Sequence, residues 1–482
     1  MKKIRMSKEN KAFYILFSIE IWERFGFYGM QALLVIFMVK YLKMSDGLAD
    51  NTFSAFSALI YTFVLFGGYI GDKVLGLKRT MVLGAITLAS GYLFLSFFIE
   101  KYLFIALGII IAGNALFKAN PSAVVSKLYE HGSNKLDSVY TIYYMSINLG
   151  ALLSTLLTPW VKDNFGWKPA FLISFFGMTI AILNYIFFQK ILAPFGSEPD
   201  FKKINYKKFF LTLLGSFTII ILSAFLLKHL VITHILLFLS LICGIVIFIM
   251  EILNAESKFS KLSMVACLIL CFEALLFFVL YQQMPTSLTL FAVRNTDHAI
   301  LGISIPPESF QALNPFWIMA GSPLLAYIYT KLNQKGRDFS LPGKFTLGMF
   351  LCSLGFLTLS AVSKFFINEK GVISGNWLIL TYGLQSFGEL LVSGLGLSMV
   401  ARLVPEKKAA FMMGLWFVFQ ATGMVLGGYI ASLASIPATI TDPFQTVHIY
   451  TILFFKLGLA TLIIALLMLF LTPFLKKIIV KS

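Results

Sequence analysis

Fourteen apolar stretches, each long enough to cross a bilayer as a helix, follow one another almost without pause along the 482 residues. They lie near 13–39, 52–72, 79–98, 103–127, 137–161, 168–188, 206–227, 233–253, 261–292, 310–331, 343–365, 374–402, 407–435 and 447–475. The connections run to roughly 5 to 20 residues, too short for a soluble domain. Only 13% of the residues are charged and 58% are hydrophobic, far from soluble composition. The expected fold is an all-α polytopic membrane protein, and any activity must lie inside the helix bundle.

Charge supports the same architecture. The net charge of +17 is not spread as a polyanion-binding surface would be, which argues against nucleic acid. With the N-terminus cytoplasmic, 27 of the 39 Lys and Arg fall at cytoplasmic ends and loops and 9 on the opposite side. That bias is the positive-inside rule, and it predicts both termini in the cytoplasm. The first span is too long, and too charged in its middle, for a cleavable signal.

That first span carries Glu20-Ile21-Trp22-Glu23-Arg24. At about 1.5 Å per residue, Glu20 lies roughly 10 Å and Arg24 roughly 16 Å inside a ~30 Å hydrocarbon core. Charges at that depth pair with one another and face a protein interior or a watery path. At 100° per residue, Glu20, Glu23, Arg24, Phe27, Tyr28 and Gln31 share an arc of about 140°. Lys118 lies near the middle of the fourth span, and Glu389, with Ser393 one turn later, near the middle of a span in the second half. One half thus offers a cation and the other an anion. They pair with each other or with partners in their own half.

The remaining polar groups in the spans divide by their company. Glu273 and Lys456 lack polar neighbours one turn away and read as structural, with Lys456 able to snorkel. Asn148 and Asn314 suit either recognition or helix–helix glue, and Tyr28, Tyr61 and Trp416 read first as packing. Cys243, Cys267, Cys271 and Cys352 all sit in spans with no ligand-bearing companions, so no metal site and no cofactor is expected. The chain divides into residues 1–190 (six spans), 191–258 (linker and a two-span insert that is apolar all round) and 259–482 (six spans), with the hinge in the Lys-, Pro- and Gly-rich stretch 189–208.

Two local patterns carry resemblances. The run from Gly68 through Asp72 to Arg79 resembles the loop between the second and third helices of the major facilitator superfamily, where the Asp and the basic residue latch neighbouring helices. Glu20-Ile21-Trp22-Glu23-Arg24-Phe25 and Tyr143-Tyr144-Met145-Ser146-Ile147-Asn148-Leu149-Gly150 resemble the first- and fifth-helix motifs of the proton-dependent oligopeptide transporters. The Phe-Lys-x-Asn-Pro run ending at Pro121, the Gly-Glu-Leu run at Glu389, Met284-Pro285-Thr286-Ser287 and Leu313-Asn314-Pro315-Phe316-Trp317 fit the same family. The similarity spans nearly the whole chain and is greatest to bacterial di- and tripeptide permeases.

The resemblance implies two six-helix bundles plus two extra helices, and proton-coupled import of di- and tripeptides across a bacterial inner membrane by alternating access. Peptide-like drugs would be further cargo and a monomer the working unit. Glu20 and Glu23 would be the proton-coupling carboxylates and Arg24 their counter-ion. Lys118 would attract the peptide carboxylate, while Glu389, Asn148 and Asn314 would hold the amino terminus. Tyr28, Tyr61 and Ser393 would line the path, and Trp416 would shape a side-chain pocket. Gln31 and Gln282 depart from many members, which carry Arg and an acid there; the double change is coherent, because either charge alone would be unpaired. An ion channel lacks a filter-like segment here, and an intramembrane enzyme lacks convergent catalytic groups. The nearest rival is a major facilitator with another cargo.

Overall fold

The computed structural model describes residues 7–129, 134–255, 257–335, 339–437 and 439–479. Fourteen long helical segments are distinguished among them, the third and fourth continuous through residues 98–100. The first six are α1 (Lys8–Ile36), α2 (Asp46–Val74), α3 (Leu77–Phe97), α4 (Lys101–Ser126), α5 (Asn134–Phe165) and α6 (Trp167–Leu192). Next come α7 (Tyr206–Lys228), α8 (Leu230–Leu253), α9 (Lys258–Asn295) and α10 (Leu313–Gln334). The last four are α11 (Leu341–Phe365), α12 (Asn376–Leu403), α13 (Glu406–Ser432) and α14 (Pro443–Ile479). The only strands among the described residues form a two-residue hairpin, Ala299–Ile300 with Ile303–Ser304.

Eleven of these helices hold a window apolar enough to cross a membrane on composition alone. The three that do not are α1, α5 and α10. Each carries polar residues in mid-span: Glu20, Glu23 and Arg24 on α1, Asn148 on α5, Asn314 on α10. The helices with the weakest membrane signal are thus ones the sequence marks as site-bearing.

The chain forms two compact units. The first comprises Met1–Leu34 and Leu59–His229; the second comprises Val35–Ala58 and Leu230–Ser482. In the first, α7 rests on α4 where Gly108 approaches the Ile220 carbonyl. In the second, α8 packs on α13, where Gly244 meets Leu415 and Lys408 pairs with Glu251. Only 22% of the apolar window of α8 and 33% of that of α7 is buried, as expected for helices whose flanks meet lipid.

The 192–205 connection docks on the start of α3. Asp200 accepts from the Lys78 backbone N–H at 3.2 Å and Ser197 donates to the Gly71 carbonyl at 2.8 Å. The Arg79 guanidinium donates to the Pro199 and Lys202 carbonyls at 2.9 and 2.7 Å, whereas Asp72 pairs with its neighbour Lys73 at 2.9 Å.

Candidate functional site

Breaks in helices place Lys118, Glu389 and Gln282. In α4 regular helix stops at Phe117 and resumes at Asn120, with Pro121 inside the first turn. Proline cannot donate to the preceding turn and disfavours helix before it, so Lys118 sits in the gap. In α12 the helix ends at Val392, passes through a 3-10 turn at Ser393–Leu395 and restarts at Gly396. Gly394 and Gly396 weaken the helix there, one turn beyond Glu389. In α9, Pro285 interrupts the helix between Tyr281 and Ser287, and Gln282 begins that turn. Discontinuous helices are where transporters assemble binding groups.

Within the first unit, Glu20, Glu23 and Arg24 are 1%, 0% and 4% exposed. Arg24 Nε donates to Glu20 Oε1 at 2.8 Å and stands 3.1 Å from Glu23 Oε2. Tyr143 on α5 donates its phenol to the other Glu20 oxygen at 2.5 Å. Glu20 is therefore held at both oxygens, while neither oxygen of Glu23 receives a hydrogen bond. The two carboxylates differ in their contacts: Glu20 accepts two hydrogen bonds, whereas Glu23 accepts none and meets Arg24 only as an ion pair.

This contact depends on how closely α5 approaches α1. A Cβ on Gly150 would lie 2.4 Å from the Ile21 carbonyl oxygen and 3.0 Å from Arg24 Cβ. Backbone cannot yield as a side chain does. Gly150→Ala is expected to part the two helices, at a cost of about 1–3 kcal/mol. A lower unfolding midpoint in detergent checks this, and an unchanged midpoint counts against it.

Lys118 Nζ stands 3.6 Å from the centroid of the Tyr61 ring, a cation–π contact. Glycine again sets the approach: a Cβ on Gly67 would overlap the Ala115 carbonyl at 1.6 Å. Asn120 ties the same two helices, donating to the Gly67 carbonyl at 3.3 Å. No carboxylate pairs with Lys118 among the described residues. Asn148, 7% exposed, donates to the Tyr144 carbonyl of its own helix at 3.0 Å. Tyr28 and Gln31 are half-buried on the α1 stripe.

Within the second unit, Glu389 is 8% exposed. Its Oε2 accepts from Asn314 Nδ2 at 2.8 Å, and the same amide donates to Ser386 at 3.0 Å. Glu389 has a neutral partner and no cation among the described residues. Ser393 is half-buried in the α12 break. Trp416 packs edge-on to Phe278 at 6.1 Å, in a space that exists because residue 396 has no side chain. Gln282 takes no part in this cluster: it donates to Ser54 at 2.9 Å. Glu273 is buried with neither oxygen hydrogen-bonded.

Several important groups escaped the sequence reading. Tyr143 lay inside a quoted motif without a role, and Ser386 beside Glu389 likewise. Arg294, to which the sequence reading gave no role, makes a bidentate pair with Asp46 at 2.6 and 2.9 Å and donates to the Tyr450 phenol at 2.8 Å. Asp50, one turn from Asp46, is buried with neither oxygen hydrogen-bonded. Nothing local marked Asp46 and Arg294 as partners, since 248 residues separate them. No group of three or more His, Cys, Asp or Glu among the described residues is arranged to hold a metal.

Comparison with known proteins identifies the family. Residues 78–448 match the POT family. The dipeptide and tripeptide permease A of Cronobacter turicensis is 46% identical over 477 residues, covering 98% of this chain and 94% of that protein. The permease of the same name from Escherichia coli K12 is 44% identical over 473 residues, covering 97% and 93%. Among solved structures, a tetrameric PepTSo2 crystal structure superposes with a TM-score of 0.89 at 38% identity, over 98% of this chain and all of that one. A peptide transporter POT in complex with sulfate gives a TM-score of 0.82 at 26% identity, over 97% and 96%. Matched by the family model over most of its length and 44–46% identical to these permeases, the chain belongs to the POT family.

Proposed function

We propose that the protein is a proton-coupled symporter that brings di- and tripeptides into a bacterial cell across its inner membrane, working by alternating access. Both termini face the cytoplasm, as the Lys and Arg bias indicates. A single observation carries the reading: Lys118, in a helix break, and Glu389, one turn before another, have only neutral partners. An unpaired cation and an unpaired anion are what a zwitterion requires. Lys118 takes the peptide carboxylate and Glu389 the amino terminus, with Asn314 holding Glu389 in position and Asn148 offering a further amide.

The proton enters at Glu23. It has no hydrogen bond to give up, whereas protonating Glu20 would cost it the Arg24 and Tyr143 bonds. Once Glu23 is neutral, Arg24 is attracted by Glu20 alone, and the field at Lys118 changes. Tyr28, Gln31, Tyr61, Ser393 and Trp416 line the path. Gln282, joined to Ser54, stands where many members carry an acid, and Gln31 where they carry Arg. Asp72 and Arg79 are conformational latches, with Arg79 acting through the linker carbonyls it holds. Peptide-like drugs are further cargo, and one chain suffices for transport.

Uptake of a radiolabelled dipeptide with and without a protonophore tests the function. Concentrative uptake that collapses with the gradient is expected; failure of dipeptides to compete would reject the substrate class. Glu389→Ala is expected to erase most of the preference for free over acetylated amino termini. A charge-assisted bond of about 1.5–3 kcal/mol corresponds to roughly ten- to hundredfold discrimination. Unchanged discrimination in competition assays would remove Glu389 from amino-terminal recognition.

A further inference from the structure

Lys456 has no role in the scheme above, and its position is unfavourable unless something covers it. It lies 13 residues into α14, about 20 Å along the helix axis, and its side chain is exposed. Ionisable groups at such depth ordinarily face a bundle interior or a partner. No partner for Lys456 is found among the described residues.

The surrounding surface is a groove of about 680 Å³ where the end of α11 lies against the beginning of α14. That volume is within the range that accommodates a small amphiphile. Its walls include Leu357, Ile452 and Phe455, and its basic groups are Lys456, His448 and Lys364. His448 is two turns nearer the start of α14, about 12 Å from Lys456 along the axis, and Lys364 is in the last turn of α11. Lys364 and His448 thus lie near the helix ends and Lys456 two turns deeper along α14. Lysine stems reach outward along such walls, so ammonium groups of different origin can meet one anionic head.

From this groove we infer a binding site for an anionic phospholipid, in the leaflet away from the chain's C-terminus. One acyl chain fills the slot, the phosphate sits by Lys364 and His448 near the helix ends, and Lys456 reaches toward it from two turns deeper. Charge complementarity selects this occupant over a zwitterionic lipid.

The test uses the full-length protein exchanged into equal amounts of phosphatidylglycerol and phosphatidylcholine, with retained lipids counted by native mass spectrometry. The parent is expected to keep at least one phosphatidylglycerol, favoured about tenfold over phosphatidylcholine. Lys364→Gln/Lys456→Gln should lose that molecule, whereas Lys228→Gln, outside the groove, should keep it. Lys456→Met, which removes the charge and suits the bilayer, guards against a folding defect and should also lower the preference. Equal retention of the two lipids by the parent overturns the inference, as does a preference that survives both groove variants. A species of double mass lost with Lys456→Met would also overturn it and assign the face to a second copy.

Discussion

Glu23→Gln protein, reconstituted into vesicles one pH unit more acid outside, is expected to equilibrate a labelled dipeptide without concentrating it. The parent should concentrate the same peptide about tenfold for each proton carried, because one pH unit supplies about 1.4 kcal/mol. The amide keeps the shape of the side chain and removes the ionisable group. Glu23 has no hydrogen-bond donor to lose, so the fold and the Arg24–Glu20 pair should survive. Exchange of labelled for unlabelled peptide across the membrane, which needs no net proton movement, should continue. A tenfold accumulation by the variant would exclude Glu23 from coupling.

Glu20→Gln should behave differently, although it lies on the same helix face. Glu20 binds both Arg24 and Tyr143, so its loss disturbs the α1–α5 contact as well as the charge balance. Arg24 is then left with Glu23, whose carboxylate becomes tied as the counter-ion. A proton carrier made into a counter-ion carries protons poorly. Two substitutions of the same chemistry, three residues apart, thereby separate coupling from structure.

The membrane architecture was legible because bilayer thickness fixes the length of each apolar stretch, and eleven of the fourteen helices meet that constraint on length and composition alone. The identity of the charged site residues was legible for a related reason: a charge such as Lys118 or Glu389 in the middle of a span stands out. Their partners were not. Tyr143 and Glu20 are 123 residues apart, and Asn314 and Glu389 are 75 apart; such pairings are set by packing that no local pattern reports. The break in α12 was foreshadowed by Gly394 and Gly396, yet the hydropathy of 374–402 reads as one unbroken span. Breaks at Pro121 and Pro285 were equally visible as residues and equally invisible as geometry. The Asp46–Arg294 pair eluded the reading most completely, since each residue taken alone is an ordinary charge near a helix end.

That pair supports the second large expected effect. Arg294→Gln removes both hydrogen bonds to Asp46 and the one to Tyr450, leaving the Asp46 side chain, 3% exposed, without its cation. The Ile436 backbone N–H at 3.1 Å remains as a donor, too little for a buried charge. Removing one partner of a buried pair costs about 3–5 kcal/mol, and the 24% exposure of Arg294 places this case near the lower end. At about 2–4 °C per kcal/mol, the unfolding midpoint in detergent should fall by roughly 6–12 °C. Asp46→Asn/Arg294→Gln should recover most of that fall, because neither charge is then stranded. A double variant as unstable as the single one would mean that the guanidinium holds the Val35–Ala58 segment by its shape and its bond to Tyr450, with Asp46 incidental. The recovery measures how much of this contact is charge and how much is packing, and the buried Asp50 one turn away makes charge the stronger expectation.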